Sequence, residues 1–204
     1  MPLVLAVLVA IVLFFPYEGQ TIATQILGAI KKGARLTRTT SEDDELIDQS
    51  PQSIAEQMGV DLNRATLARV ISSEEGNSEK IRQLAIAYVT FNNGGQGPGV
   101  FTYACGSGGR FGHQSGSRRP VSTFLDAYAG HLELANLIFD GGIGDPTNGA
   151  TNFYGPATQD KLNAKDPEKY DSAEEIDRRW TSRGLVAVDV DGIDSRYLKF
   201  YRPG

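Results

Sequence analysis

An unbroken apolar run near the start of the chain, Leu3–Phe15 (LVLAVLVAIVLFF), constrains its folding more than any other feature. A helix that is hydrophobic all round has no face to offer water, so it belongs in a membrane, in a partner, or in a peptide removed after export. Its 13 residues fall short of the roughly 20 that span a bilayer and match the core of a signal peptide in length. Yet no basic segment precedes it, and no small-x-small cleavage pattern stands before Pro16. Joined to the weaker apolar stretch Thr21–Ile30, it reads as a Pro-kinked anchor ended by Lys31, Lys32, Arg35 and Arg38. We therefore expect residues 1–38 to be a hydrophobic membrane anchor with a basic flank. A cleaved signal peptide, leaving a secreted protein, and a helix buried in a partner are the alternatives. The basic cluster lies on the C-terminal side of the run, which favours keeping the following chain in the cytoplasm or a lumen.

After the cluster, Ser41–Asp48 (SEDDELID) is acidic and poor in large apolar residues, so residues 39–50 read as a solvated linker and residues 51–204 as the folded domain. A single Cys105 excludes an intrachain disulfide framework and a cysteine-based zinc site. The only histidines are His113 and His131, so no metal centre and no cofactor are expected. A net charge of −5 leaves no Lys/Arg excess to neutralise phosphates, which argues against nucleic acid as a partner.

Within the domain, Ser50-Pro51 supplies an N-cap and a first-turn proline for a short helix closed by Gly59. Asp61 caps a second helix running to about Glu75 and ended by Gly76. Ser78–Asn92 carries Ile81, Leu84, Ala85, Tyr88 and Val89 at helical spacing. Asn93–Gly116 is rich in Gly, Ser and Gln and reads as a long, functionally suggestive loop. Thr123–Phe139 is a strongly apolar helix, Gly141–Pro156 is turn-rich, and Ser172–Ser182 is helical. Leu185–Val190 and Tyr197–Tyr201 are strand-like. The expected fold is α+β and mainly α, a helical domain with a small β-hairpin at its end.

The chemistry concentrates at the end of the second helix. At 100° per residue, Leu67, Val70 and Ile71 define an apolar stripe, with Glu74 close to its centre and Glu75 to one side. A carboxylate there is disfavoured by burial and by the negative end of the helix dipole. Both effects raise a carboxyl pKa, as a general acid working near neutrality requires. The competing reading is a helix that ends early and leaves Glu74 in water. Gly106–Gly112 (GSGGRFG) resembles a phosphate loop only in its glycines. His131, inside an apolar helix, reads as a core histidine; His113 and Gln114, in the long loop, are candidates for ligand contact. Trp180 reads as a core anchor, although sugar-binding clefts also favour aromatic residues.

These segments, taken in order, resemble a family. Leu67–Asn92 (LARVISSEEGNSEKIRQLAIAYVTFN) is similar to the opening of the SleB/CwlJ-type cell wall hydrolases, in which a helix ending in E-A-x-G-E precedes one bearing Q-x-A-V-A-x-V-x-x-N. Asp145–Pro156 (DPTNGATNFYGP) resembles that family's DPTGGATHFYNP loop. Arg179–Leu185 (RWTSRGL) and Tyr197–Arg202 (YLKFYR) resemble its closing segment. The likeness covers roughly residues 62–203. It implies a lysozyme-like fold that cleaves peptidoglycan between N-acetylmuramic acid and N-acetylglucosamine, in many members as a lytic transglycosylase with one catalytic glutamate.

Matching Gln83-Leu84-Ala85 to the family's Q-x-A places that glutamate on Glu74. The resemblance further implies that the DPT loop walls the cleft, with Thr151, Asn152 and Tyr154 touching the sugar and Glu75 beside the acid. The motif's second glutamate falls on Ser78, with Glu79 one position off, and the loop histidine falls on Asn152. For Asp145 and Thr147, a loop locked by its own turn bonds is an equal expectation. Two further readings stay open. One is a glycan-binding protein that kept the fold without activity; the other is a membrane or virion assembly protein whose domain docks envelope partners. The expected location is a bacterial envelope or a phage virion membrane.

Overall fold

The second helix is buried on nearly every side, and the rest of the domain is arranged around it. We describe residues 46–76, 78–106 and 118–204 from a computed structural model of the chain. The anchor, with Leu3–Phe15 and its basic flank, lies outside the described residues, as do His113 and Gln114. Among the described residues, no helix is long and apolar enough to cross a membrane.

Two helices open the domain as their caps require. Ser50 accepts from the Ser53 backbone ahead of α1 (Pro51–Met58), and Gly59 ends it in the left-handed conformation. The Asp61 carboxylate accepts from Asn63 N at 2.8 Å and Arg64 N at 3.4 Å to start α2 (Leu62–Glu75). Ala65, Leu67, Ala68, Val70 and Ile71 of α2 are all fully buried. Around it lie α1, α3 (Lys80–Asn93), α4 (Val100–Cys105) and α5 (Val121–Phe139).

The core divides on either side of α2. Leu67, Ala68 and Ile71 meet Ile54, Leu84, Tyr88, Tyr128, Leu132 and Ile138 from α1, α3 and α5. Val70, from the other side, meets Ala85, Ile86 and Val89 of α3, Ala104 and Cys105 of α4, and Phe200 of a small sheet. That sheet is antiparallel, made of β3 (Asn152–Tyr154), β4 (Leu185–Val188) and β5 (Lys199–Pro203), with β5 in the middle. Asn152 faces Tyr201 across one seam, and Val186 faces Arg202 across the other. The domain is thus mixed helix and strand, mainly helical, with seven helices among the described residues.

Four differences from the sequence-based reading have physical causes. The expected hairpin is a three-stranded sheet, because the end of the turn-rich segment straightens into β3 and pairs with β5. Val100–Cys105, read as loop, is helical but too short for periodicity to show. Gly94 allows it to start there: a Cβ at Gly94 would stand 2.7 Å from the Val100 backbone. A helix α6 (Pro156–Lys165), before α7 (Ala173–Ser182), buries no residue and so carries no apolar stripe. Finally, Leu46–Asp48 of the expected linker forms β1, which pairs with β2 (Arg118–Pro120).

The linker's end is in fact built in. Gln49 and Ser50 are buried; Arg69 Nε donates to Gln49 O at 2.8 Å, and Tyr128 OH donates to Gln49 Oε1 at 2.9 Å. A chain starting at Leu46 keeps these bonds. One starting at Pro51 loses the Ser50 cap and the Gln49 bonds to Arg69 and Tyr128, a cost of about 2 kcal/mol or more. Thermal unfolding should show it melting about 5 °C or more lower; equal midpoints would return Leu46–Ser50 to the linker.

One residue of α5 stands out energetically. Gly130 lies inside the helix, where glycine costs about 1 kcal/mol relative to alanine. A Cβ built on it meets nothing within 4 Å, so no close packing demands the missing side chain.

Candidate active site

The end of α2 is held by the helix that follows it. The Gln83 side-chain amide, on the first turn of α3, donates to Glu75 O at 3.0 Å, Gly76 O at 3.2 Å and Ser78 O at 3.3 Å. Glu75 O and Gly76 O are carbonyls that a helix C-terminus leaves without intrahelical partners. The glutamine of the Q-x-A pattern thus has a physical task, which is to fix the backbone that carries Glu74 and Glu75. From α5, His131 Nε2 lies 3.4 Å from Gly76 O.

The two glutamates differ in their surroundings, and not as the helical wheel suggests. Glu75 is the enclosed one: its side chain is 13% exposed, and Arg82 Nη2 sits 3.0 Å from its Oε1. Glu74 lies on the exposed side. The expectation that Glu74 centres on a buried stripe is corrected by the all-round burial of α2. Ala65, Thr66 and Ala68 are as deeply buried as Leu67, Val70 and Ile71, so α2 has no single stripe to extend.

The expected direction of the Glu74 pKa nevertheless holds. Burial against the cleft walls is the larger cause, and the neighbouring Glu75 carboxylate adds repulsion, so the Glu74 carboxyl is held above the usual carboxylate range. Fractional exposure and desolvation pull apart here because an open cleft admits water to the oxygens while still displacing much of the solvent around them.

Both glutamates line a polar cleft of about 710 Å³, a size typical of ligand sites. Ser72, Ser73, Gly76 and Ser78 form one side, Arg82 the floor of the α3 side, and Ala127 and His131 the α5 side. Two buried nitrogens there, Arg82 Nε and His131 Nδ1, have no hydrogen-bond partner among the described residues. His131, read from the sequence as a core histidine, is therefore a cleft residue, and Arg82 was not picked out from the sequence at all. Arg82 carries a weak signal, standing off the Ile81–Leu84–Ala85 face of α3; His131 carries none, because only the packing of α5 on α2 brings it there.

The DPT loop is rigid for its own reasons. Asp145 Oδ1 accepts from Thr147 N at 2.7 Å and Thr147 Oγ1 at 2.6 Å. Its Oδ2 accepts from Gly149 N at 2.9 Å and Asn92 Nδ2 at 3.0 Å. Asn93 Nδ2 donates to Thr151 O at 2.6 Å. Asn92 and Asn93, at the end of α3, thus clamp the loop, and Asp145 and Thr147 are turn-forming residues.

The remaining candidates do not meet Glu74. Thr151, Asn152 and Tyr154 are not among the residues that line its cleft. Thr151 Oγ1 donates to Asn152 Oδ1 at 3.0 Å. The Tyr154 hydroxyl donates to Asp177, which also receives the Tyr201 hydroxyl and Lys199 Nζ. Trp180 packs edge-on against Tyr154 and Tyr201 at 5.3 Å and 5.1 Å, completing an aromatic latch between α7 and the sheet. Burial works against the Asp177 carboxylate, but the Lys199 ammonium and the two hydroxyls together outweigh it and keep its pKa low. No group of three or more His, Cys, Asp or Glu side chains able to hold a metal occurs among the described residues.

Compared with known protein families, with curated proteins and with solved structures, the chain finds no match.

Proposed function

We propose that the chain is a peptidoglycan-cleaving enzyme with a lysozyme-like domain, acting on the bond between N-acetylmuramic acid and N-acetylglucosamine as a lytic transglycosylase through Glu74. The observation that carries this reading is the division of labour between two adjacent glutamates. Glu75 is largely enclosed and ion-paired to Arg82, while Glu74 stands on the exposed side of the cleft with its pKa raised by burial and by Glu75. A glycosidase that uses water normally needs two carboxyl groups in separate roles. Here one is suited to acid–base work.

Protonated Glu74 donates its proton to the glycosidic oxygen as the bond to the muramyl C1 breaks. The resulting carboxylate then takes the proton from the C6 hydroxyl of the same sugar while its oxygen bonds to C1. The ring closes as a 1,6-anhydro sugar, Glu74 regains its proton, and no water is consumed. Arg82 and His131 offer polar contacts to the saccharide within the cleft. In this reading the first 38 residues hold the domain at a bacterial envelope or virion membrane, and phage or prophage origin is consistent with that arrangement.

The products decide it. Muropeptides released from purified walls should carry 1,6-anhydro-muramic ends in a mass spectrum. Reducing ends alone would mean hydrolysis and would give Glu75 a direct role. A second reading, a silent glycan-binding protein of the same fold, is favoured by the position of Thr151, Asn152 and Tyr154 outside the cleft. It predicts retention on walls with no release of fragments.

A further inference from the structure

The three-stranded sheet ends on an open edge. Its order is β3-β5-β4, so β4 (Leu185–Val188) has β5 on one side and no strand on the other among the described residues. Gly204 N donates to Gly184 O at 2.9 Å, in phase with the Val186–Arg202 and Val188–Phe200 pairs. Antiparallel ladders alternate, so the backbone groups of Val186 and Val188 turn to β5, and those of Leu185 and Ala187 turn outward. Among the described residues, no turn, loop or cap bonds these outward groups.

Natural sheets blunt such edges with charge, proline or a bulge. β4 has none of these: it reads Leu-Val-Ala-Val and pairs with β5 residue for residue. Val186 shares a face with Val188, which packs against the second core. At 45% exposed, Val186 carries that apolar face out to the rim.

The flanks of the strand are charged, with opposite signs. Arg183 stands three residues before Val186 and Asp189 three residues after it, and both are exposed. Nearby charges are paired elsewhere: Arg178 meets Glu174, Arg179 meets Asp171 and Arg196 meets Asp194. Arg183 and Asp189 are left without an ion-pair partner among the described residues.

These features are complementary to themselves. Set β4 antiparallel to a copy of itself, with a two-fold axis at Val186. Leu185 of each chain then faces Ala187 of the other, so the outward N–H and C=O groups bond each other in pairs. The two Val186 side chains meet across the axis. At both ends Arg183 of one chain comes to Asp189 of the other. A slip of one residue would set outward groups against inward ones. A slip of two would face Arg183 with Ala187, or with Asp191 in the turn beyond the strand.

We infer that β4 is the surface by which two copies of this chain associate, joining two three-stranded sheets into one of six strands. The contact is isologous, one patch serving both partners. It is independent of the function proposed for the cleft.

The test follows the mass of the full chain in detergent by sedimentation, so that every variant keeps the same N-terminal segment. The wild-type chain should sediment as a dimer. Arg183→Asp and Asp189→Arg each set like charges together at both ends and should raise the dimer Kd about tenfold or more. The double swap restores opposite charges and should return the Kd to within a few-fold of wild type. Oxidised Val186→Cys should form a disulfide-linked dimer, whereas the wild-type chain, whose Cys105 is buried, should not. Val188→Cys should not either, since its two copies lie about 13 Å apart along the strands, beyond disulfide reach. A wild-type chain that stays monomeric at about 0.1 mM overturns the inference. So does a dimer that survives both single swaps, a double swap that fails to restore it, or cross-linking as ready at Val188 as at Val186.

Discussion

Cell-wall cleavage by the Glu74→Gln chain is expected to fall about 10²-fold or more, because glutamine keeps the shape and hydrogen bonding of the side chain but has no proton to give. Glu75→Gln should cost far less and should change the pH profile in a defined direction. The Glu75 carboxylate is one of the two causes that raise the Glu74 pKa, the smaller beside burial; without it the Glu74 pKa falls. A general acid works only while protonated, so the basic limb of the kcat/KM profile should move to lower pH.

Stability should respond with the opposite sign to activity. Glu74 has a folded-state pKa above its unfolded value. Its contribution to stability is fully present at pH values below the unfolded pKa and is lost as pH rises through the folded one. Glu74→Gln should therefore melt higher than wild type near pH 7 and equally near pH 3. An active Glu74→Gln chain beside a dead Glu75→Gln chain would transfer the acid role to Glu75.

The second large effect concerns the loop, not the cleft. Asp145→Ala removes the acceptor for three donors of the loop itself and for Asn92. Thr147 is fully buried, so its amide and hydroxyl cannot turn to water instead. Bonds to a charged acceptor contribute more than neutral ones, and stranded donors add a desolvation penalty; together they amount to about 3 kcal/mol. For a domain of this size that lowers the unfolding midpoint by about 10 °C, measurable by circular dichroism. A drop of only about 1–2 °C would mean that the left-handed Asn148 and Gly149 hold the turn without help from the carboxylate.

Where local chemistry dictates structure, the chain could be read directly. Ser50-Pro51 with Gly59 and Asp61 before α2 each mark a helix end by a bond between neighbouring residues, and each is present. What could not be read depends on partners distant in sequence. β1 is a strand only because β2 comes to meet it, and α6 is a helix with nothing to bury.

The site divides in the same way. Glu74 was reached by aligning the glutamine that caps its helix, and the structure gives that glutamine its reason. The helical wheel misjudged the burial of the two glutamates, since it assumes one wet face and α2 has neighbours all round. His131 and Arg82 needed the packing of α5 and α3 to be seen, and Tyr154 needed Asp177, a residue of α7, to be understood as a latch.

The middle position of β5 also sets an order of events during synthesis. The helices around α2 gather from neighbouring stretches of chain and can assemble as they emerge. β3 cannot: its strand partner β5 lies beyond two more helices and another strand, so closing that loop is slow and comes late. Until Phe200 arrives to fill the second core, Val70 and Val89 face solvent beneath an unfinished sheet. A nascent chain halted before β5 would then expose apolar surface next to α2, and would be a natural substrate for chaperones and proteases. Quality control would thus remove the domain before its last strand completes the core.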